Sequence, residues 1–490
     1  MMKLRFFLRT ARRLALSALL LALTAYASGN GTKIPITTSS EEARQAFLKG
    51  RDLFERLQGQ ESLQHFDQAI AKDPDFAMAY LYSSFSQPTA KGFFEQMNKA
   101  VALADKVSAG ERLWILGFQA GVNGAPMQQK EHYQKLVEAF PQDERAHNLL
   151  GGYYFGQQDW AAAIAEYQKA TALAPNFTQP YNQLGYAHRF MENYAEAEKA
   201  FKKYIELIPN DPNPRDSYAE LLQKMGRFEE SIKHYQEALA RNPNFAASHI
   251  GIATDLNLLG RHQEARAQLQ KLHGMARNDG ERRAALFAMT VSYVDAGDWS
   301  SALKEMDKQY AMGEKINDAA AMAGDLGAMG NILFEAGKYQ DALATFDKSL
   351  QVMAASSLAP EVKENARRIH LYNVARVAVA TGDLKTARAK SEEFRTQAEG
   401  AKNTFQIWLA HELAGTIALA ENDPGKAIAE FQLANQQNPY THFRLAQAYA
   451  AQGDKVKAKA AYAKAANFNA LNNMNYAFIR TQAKQRLAVN

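Results

Sequence analysis

His411-Glu412 carries the sharpest chemical suggestion in this chain, because a helical His-Glu with a second histidine one turn later is how zinc proteases hold a metal beside its general base. Gly415 stands where that second histidine belongs, so the pair reads as a surface feature with no metal. Gly425-Lys426 has the ending of a phosphate-binding loop, but Ala420 replaces its first glycine and Ala427 its hydroxyl residue. No Gly-x-Ser-x-Gly elbow precedes a helix, and no Gly-x-Gly-x-x-Gly follows a strand. Zero cysteines remove disulfides, thiolate metal sites and cysteine nucleophiles together. In an oxidising compartment their lack also prevents mispairing. The expectation is a chain that is not an enzyme, with no catalytic residues, no metal ligands and no cofactor.

The elements that would have to position any site are helices. Ala, Leu, Glu, Lys and Gln dominate the 490 residues, 14 prolines are spread thinly, and Val/Ile/Thr runs are nearly absent. This length exceeds one compact core and suits an array that grows in one direction. The first residues, MMKLRFFLRTARR, carry five positive charges and no acid ahead of the apolar run Leu14 to Thr24. That run is too short to span a bilayer. Ala25-Tyr26-Ala27 follows, so residues 1–27 read as a secretory signal peptide cut before Ser28, the alternative being an uncleaved anchor. Arg12-Arg13 hints at twin-arginine export, but Ala11 sits where that signal expects Ser or Thr. No integral membrane segment is expected after cleavage. Of the 57 basic residues the leader takes Lys3, Arg5, Arg9, Arg12 and Arg13, leaving 52 against 52 acids, so nothing argues for nucleic acid.

Self-similarity organises the rest. At a period of 34, Leu184-Gly185 recurs as Leu150-Gly151, Ala197 as Ala163 and Ala265 with Ser231 between, Phe201 as Tyr167 and Tyr235, and Pro209 as Pro175 and Pro243. This pattern resembles the tetratricopeptide repeat, a helix-turn-helix unit with small residues at positions eight, twenty and twenty-seven. Gly151, Ala163 and Ala170 fill them in the unit 144–177, with bulky Tyr154 and Tyr167 and with Pro175 ending it. The unit 178–211 departs once, with Tyr204 at a small position, and 212–245 has Ala219, Ser231 and Ala238. Upstream the register gives Gly50, Ser62, Phe66, Ala69 and Pro74, then Gly117, Tyr133 and Pro141. Downstream the small residue recurs at Ala302, Ala342, Ala387, Ala427 and Ala458, at intervals of 40, 45, 40 and 31.

The resemblance implies an all-α fold, a right-handed α-solenoid of about twelve helix-turn-helix units. The expected organisation is a signal peptide (1–27), a linker (28–42) and an N-terminal array of about seven units (43–282), with 77–109 and 246–282 degenerate. Units with longer helices or loops follow (283–407), then a C-terminal pair (408–470) and a capping helix (471–490). His147, His249, His411 and His442 fall at the fourth position of a first helix, a semi-buried packing position in the family.

In the resembling family, positions two, five, nine, twelve and thirteen of the first helix face a concave groove that binds peptides. Here they place Arg145, Asn148 and Phe155, then Asn182, Tyr186, Arg189 and Phe190, then Asp216, Glu220, Gln223 and Lys224 in that groove. The lysine and asparagine clamp that the family uses for a C-terminal carboxylate is missing. The functional expectation is an exported, non-enzymatic scaffold in the periplasm that binds a protein or peptide partner, in an assembly or adaptor role. The alternatives are an enzyme or the regulatory arm of an envelope hydrolase, with a site between repeats, and a self-associating structural protein. Nothing in the sequence sets an oligomeric state.

Overall fold

A computed structural model describes residues 33–470 and 474–489; the leader expected at 1–27 lies outside them. Among the described residues there is no strand, and no helix is long and apolar enough to cross a membrane. Twelve antiparallel helix pairs, whose first helices begin at Glu41, Ala77, Ala109, Glu144, Gln179, Asn213, Ala246, Asp279, Ala319, Pro360, Thr404 and Pro439, are followed by a single helix, Met474–Val489.

Local chemistry sets the helix ends. Ser108 and Glu111 form a reciprocal capping box, and Asp143, Asp298, Asp383 and Asp454 each accept a backbone N–H of the first turn they precede. In eleven of the twelve pairs the first helix stops at or just before a residue of positive φ, for instance Gly382 at 82° and Gly453 at 89°; the exception is Ala77–Ser86, which ends at Gln87 in extended backbone.

In six of the twelve pairs one close approach holds the two helices together. Gly50, Gly117, Gly151, Gly185, Gly330 and Gly415 each face an aromatic ring sixteen residues later: Phe66, Tyr133, Tyr167, Phe201, Phe346 and Phe431. A Cβ on Gly185 would sit 2.5 Å from Phe201 Cε1, so the ring lies against bare backbone. Ala163, Ala170, Ala197 and Ala238 are fully buried at the other crossings, where a larger side chain would push the helices apart. Tyr204 replaces such an alanine and stays buried because its Oη donates to Asn213 Oδ1 at 2.9 Å.

From Asp279 onward the helices lengthen. Asp279–Asp295, Trp299–Lys315, Ala319–Glu335, Tyr339–Ala355, Leu384–Gly400 and Thr404–Ala420 have 17 residues each, and Pro360–Thr381 has 22. Most helices before Asp279 have 12 to 15. The wider intervals near the C-terminus are therefore additional helix.

The solenoid winds far enough to touch itself. Turns inside early pairs meet turns between late ones: Glu61 with Arg277 at 2.6 Å, Lys91 N with Asp318 Oδ2 at 2.9 Å, Gly124 O with Asn403 Nδ2 at 3.5 Å, and Lys224 Nζ with Phe468 O at 2.9 Å. About seven pairs thus make one superhelical turn, and a polar seam runs between the first turn and the second.

Both ends of the array are covered. Helix Met474–Val489 lies on the last pair and also reaches across to the helices Ala246–Leu258 and Asp279–Asp295. Its buried Arg480 holds the Asp295 carboxylate with Nε and Nη2, and donates to the carbonyls of Asn257 (3.0 Å) and Leu258 (3.2 Å). At the other end an extended strap, Lys33–Thr38, crosses the first turns of the helices Ala109–Val122 and Glu144–Gly156.

Gly185→Ala should lower stability by ~2 kcal/mol through overpacking, although alanine is the better helix former. Gly152→Ala, where a Cβ meets open space, should raise stability by ~1 kcal/mol. Denaturant unfolding of the two variants checks the opposite signs.

Candidate partner-binding wall

The first helices of successive pairs form the inner wall of the solenoid, and the side chains expected in a groove lie along it in unequal states. Arg145 is held on three sides. Its guanidinium donates to both oxygens of Glu55 (2.7 and 2.9 Å), to Glu144 (2.5 Å), and lies 5.0 Å from the centre of the Phe177 ring. Asn148 is half-buried and donates to Gln179 Oε1 at 3.2 Å. Phe155, Trp160 and Phe190 make a half-buried aromatic trio, with Trp160 and Phe190 stacked at 4.8 Å and Phe155 edge-on to both.

Four of the expected groove residues are buried: Asn182, Arg189, Asp216 and Gln223. Arg189, Asp216 and Gln223 contact the neighbouring pair, whereas Asn182 Oδ1 is buried with no hydrogen-bond partner among the described residues, and this burial corrects the expectation of a freely presented groove. Arg189 lies between the rings of Tyr186 and Phe190 at 5.6 and 5.5 Å, with Glu220 Oε2 at 3.5 Å. Tyr186 Oη donates to Ser217 Oγ (3.3 Å), Ser248 Oγ donates to Asp216 Oδ1 (2.7 Å), and Gln223 Nε2 donates to Asp255 Oδ1 (3.0 Å). Each bond ties one pair to the next. Lys224 belongs to the seam, with its ammonium 4.3 Å from the centre of the Phe468 ring.

The electrostatics follow from this burial. Desolvation, then repulsion from Glu220, pushes the Asp216 carboxyl up to about 8 despite the Ser248 hydroxyl. Burial likewise pushes Asp255 up to about 7 and Lys224 down to about 8. Glu220 keeps about a third of its side chain exposed on the inner surface.

The fourth-position histidines are structural. Nε2 of His147, His249 and His442 donates to the carbonyl six residues earlier (Pro141, Pro243 and Gln436) at 2.9 to 3.0 Å. Tyr181 and Arg215 make the same bond, to Pro175 and Pro209. The other ring nitrogen of His147, His249 and His411 meets a side chain nineteen residues later, Glu166, Gln268 and Glu430. The position therefore fastens the turn between pairs. Glu412, the partner in the would-be zinc motif, accepts from Tyr372 Oη at 2.7 Å and from Arg444. Among the described residues no group of three or more His, Asp or Glu could hold a metal ion.

Inner-wall glycines escape a reading that looks for polar and aromatic side chains; Gly324 and Gly327, at repeat positions two and five in helix Ala319–Glu335, are open in the same way as the two in the fourth pair. Gly152 and Gly156 occupy positions nine and thirteen of helix Glu144–Gly156, both exposed, and a Cβ on either would meet nothing within 4 Å. The same register that selected Arg145 and Asn148 points at them. Between Asn148 and the aromatic trio the wall is thus open and shallow, and it offers bare backbone.

These helix pairs, the inner wall and the winding define a helical-repeat solenoid. The repeat is the tetratricopeptide repeat: family models of that description match residues 130–176 and 219–279, 178–211, and 440–467, and the chain is a multi-tetratricopeptide-repeat protein. No curated protein matches the sequence. Among solved structures it is similar to YrrB, described as a TPR protein with an unusual peptide-binding site, at 20% identity and a TM-score of 0.25 over 36% of this chain and 89% of that one. It is also similar to the APC/C hetero-tetramer Cut9-Hcn1, at 12% identity and a TM-score of 0.41 over 89% of this chain and 79% of that one.

The raised Asp216 value has a testable sign. The folded state binds more protons than the unfolded state between 3.8 and about 8, so this group's stability is fully present below that window and lost as pH rises through it. Asp216→Asn keeps the acceptor for Ser248 and removes the titration. It should leave stability nearly unchanged at pH 4 and raise it by ~2 kcal/mol at pH 8, read from urea unfolding at the two pH values.

Proposed function

We propose that this protein is an exported, non-enzymatic scaffold that holds an extended segment of a protein partner along its inner wall, in an envelope assembly or adaptor role. The observation that carries this reading is the pair Gly152 and Gly156. Glycine inside a helix costs about 1 kcal/mol relative to alanine. At Gly151 and Gly185 packing against a ring explains the glycine, whereas at Gly152 and Gly156 nothing among the described residues lies within 4 Å of a would-be Cβ. A close approach by another backbone accounts for both. The half-buried Phe155, Trp160 and Phe190 beside them offer apolar area, and Asn148 and Glu220 offer polar edges that fix orientation.

A scaffold reading is also supported by how the titratable groups are used. Arg145, Glu412, Arg444, Asp295 and Arg480 are all committed to one another or to neighbouring helices. Export is supported by the basic start, short apolar run and Ala-Tyr-Ala ending of the first 27 residues, and by the complete lack of cysteine.

The test is a photo-crosslinking side chain at Phe155, used in living cells with and without Gly152→Leu. Leucine favours the helix and fills the open space, so the variant should be at least as stable as the parent. The crosslinked partner band should fall by about tenfold, as for loss of a contact at the centre of an interface. An unchanged band with Gly152→Leu would remove the inner wall from the reading.

A further inference from the structure

The seam between superhelical turns follows one rule, and the rule accounts for the strap. On the second-turn side, residues that cap a first helix do two jobs. Asp318 accepts Ala321 N with one carboxylate oxygen and Lys91 N of the turn below with the other. Asn278 caps Glu281 N and donates to Gln60 Oε1 at 2.6 Å, and Asn403 caps Gln406 N and donates to the Gly124 carbonyl. The edge formed by first-helix N-termini is thus a docking edge for the turns inside earlier pairs.

In the third and fourth pairs no earlier superhelical turn exists to dock there, and the strap takes its place. Asp143 caps Arg145 N and Ala146 N with Oδ1 and accepts Ile34 N with Oδ2 at 2.8 Å, the same double use as at Asp318. Glu111, one repeat earlier, accepts Thr37 N at 2.8 Å and also the Thr37 hydroxyl. Lys33 pairs with Glu144, Thr38 Oγ1 donates to Asp73, and Ile34 and Ile36 pack on the core beneath. Four carboxylates on this edge, Asp73, Glu111, Asp143 and Glu144, are thus occupied by the chain's own strap.

Among the described residues nothing is docked on the glycine turns that the second superhelical turn presents at the opposite edge. Gly124 and Gly226, in turns within first-turn pairs, have Asn403 and Asn469 of the next turn within 4 Å of a would-be Cβ. The equivalent glycines of the second turn, Gly260, Gly297, Gly337, Gly382 and Gly453, have nothing within that distance and are exposed. Their flanks are of mixed charge: Arg261, which pairs with Glu264, and Lys338 follow Gly260 and Gly337, whereas Asp298, Asp383 and Asp454 follow Gly297, Gly382 and Gly453, the last with Lys455 next to it. The exposed bases Arg261, Lys338 and Lys455 are the groups opposite in charge to Glu111, Asp143 and Glu144. We infer that Lys33–Thr38 is an edge guard, which stops a second copy of this chain from docking its open Gly260 to Gly453 turns onto the Glu111–Asp143 edge as the chain's second turn docks on its first. Such a contact joins two different surfaces and does not close, so the unguarded chain forms head-to-tail rods. Covering an unpaired edge with the chain's own segment is the device that β-proteins use on exposed strands.

The experiment is sedimentation velocity of three chains across a range of concentrations at low and high salt. They are the full chain, the full chain with Ile34→Asp and Thr37→Val to release the strap, and a chain beginning at Ser40, which retains the first helix cap. The full chain should stay at one mass. Both strap-free forms should show an average mass that rises about twofold or more with concentration, falls again at high salt, and returns to the monomer value with an excess of the peptide KIPITTS. Arg261→Glu with Lys338→Glu, added to the released chain, should abolish the rise. Strap-free chains of parental helix content that stay monomeric overturn the inference, as do oligomers indifferent to the peptide and to the charge reversals. If the shortened chain does not fold, the doubly substituted full chain decides between these outcomes.

Discussion

The contact on which the rest of this structure depends is the seating of an aromatic ring against a glycine sixteen residues earlier, as with Phe201 on Gly185. It sets how closely, and at what angle, the two helices of a pair cross. Because Gly50, Gly117, Gly151, Gly330 and Gly415 repeat it, nearly the same rotation and translation accumulate from pair to pair. A seam between superhelical turns exists only if that accumulation is consistent. An error of a few degrees at each crossing, summed over about seven pairs, would part Lys91 from Asp318 and Gly124 from Asn403.

Winding until the turns touch changes what an inner wall is. In an open array the groove positions face water, whereas here the wall tightens where the second turn arrives and where Met474–Val489 crosses it. Asp216 and Asp255 are buried with carboxyl groups that resist ionisation, and Arg480 reaches over 185 residues of sequence to Asp295. Taking such a pair out of water offsets much of its attraction. Its effect is on geometry: Arg480 accepts one arrangement of Asp295 and the carbonyls of Asn257 and Leu258, which fixes the register of the last helix. The fourth pair lies away from that crossing, and there Gly152 and Gly156 leave the wall open.

The repeat was legible in the sequence because its determinants are local. Glycine, alanine and aromatic positions recur within one unit, and the fourth-position histidines could be read as packing residues; their bonds to carbonyls six residues earlier are also local. The candidate site was legible only as a register. Asn182, Arg189, Asp216 and Gln223 sit where the register puts inner residues, yet all four are buried and the last three are spent on contacts between pairs, because depth depends on how tightly neighbouring pairs and turns close. The seam was not legible at all. The pairing of Gly124 with Asn403 spans 279 residues and results from summed rotations, with no signal at either residue. The C-terminal segment could be read as an amphipathic helix on the last pair, but the inward Arg480 finds its partner only once the array has wound past Asp295.

The two ends of the array are covered differently, and the reason lies in which helix groups each end presents. Along the strap, the third and fourth pairs offer helix N-termini whose capping carboxylates have an oxygen to spare, spaced by one repeat. An extended chain advances about 3.3 Å per residue, so three residues span roughly the 10 Å between neighbouring pairs and bring backbone N–H groups to Glu111 and Asp143 in step. A helix would need about seven residues for that distance, with its N–H groups already committed to its own carbonyls. Extended backbone is therefore the conformation that satisfies this edge. At the other end the last pair presents an apolar helix face, and there a helix with Tyr476, Phe478 and Ile479 buried is the better cover. The conformation at each end thus follows from the hydrogen-bonding state of the surface it meets.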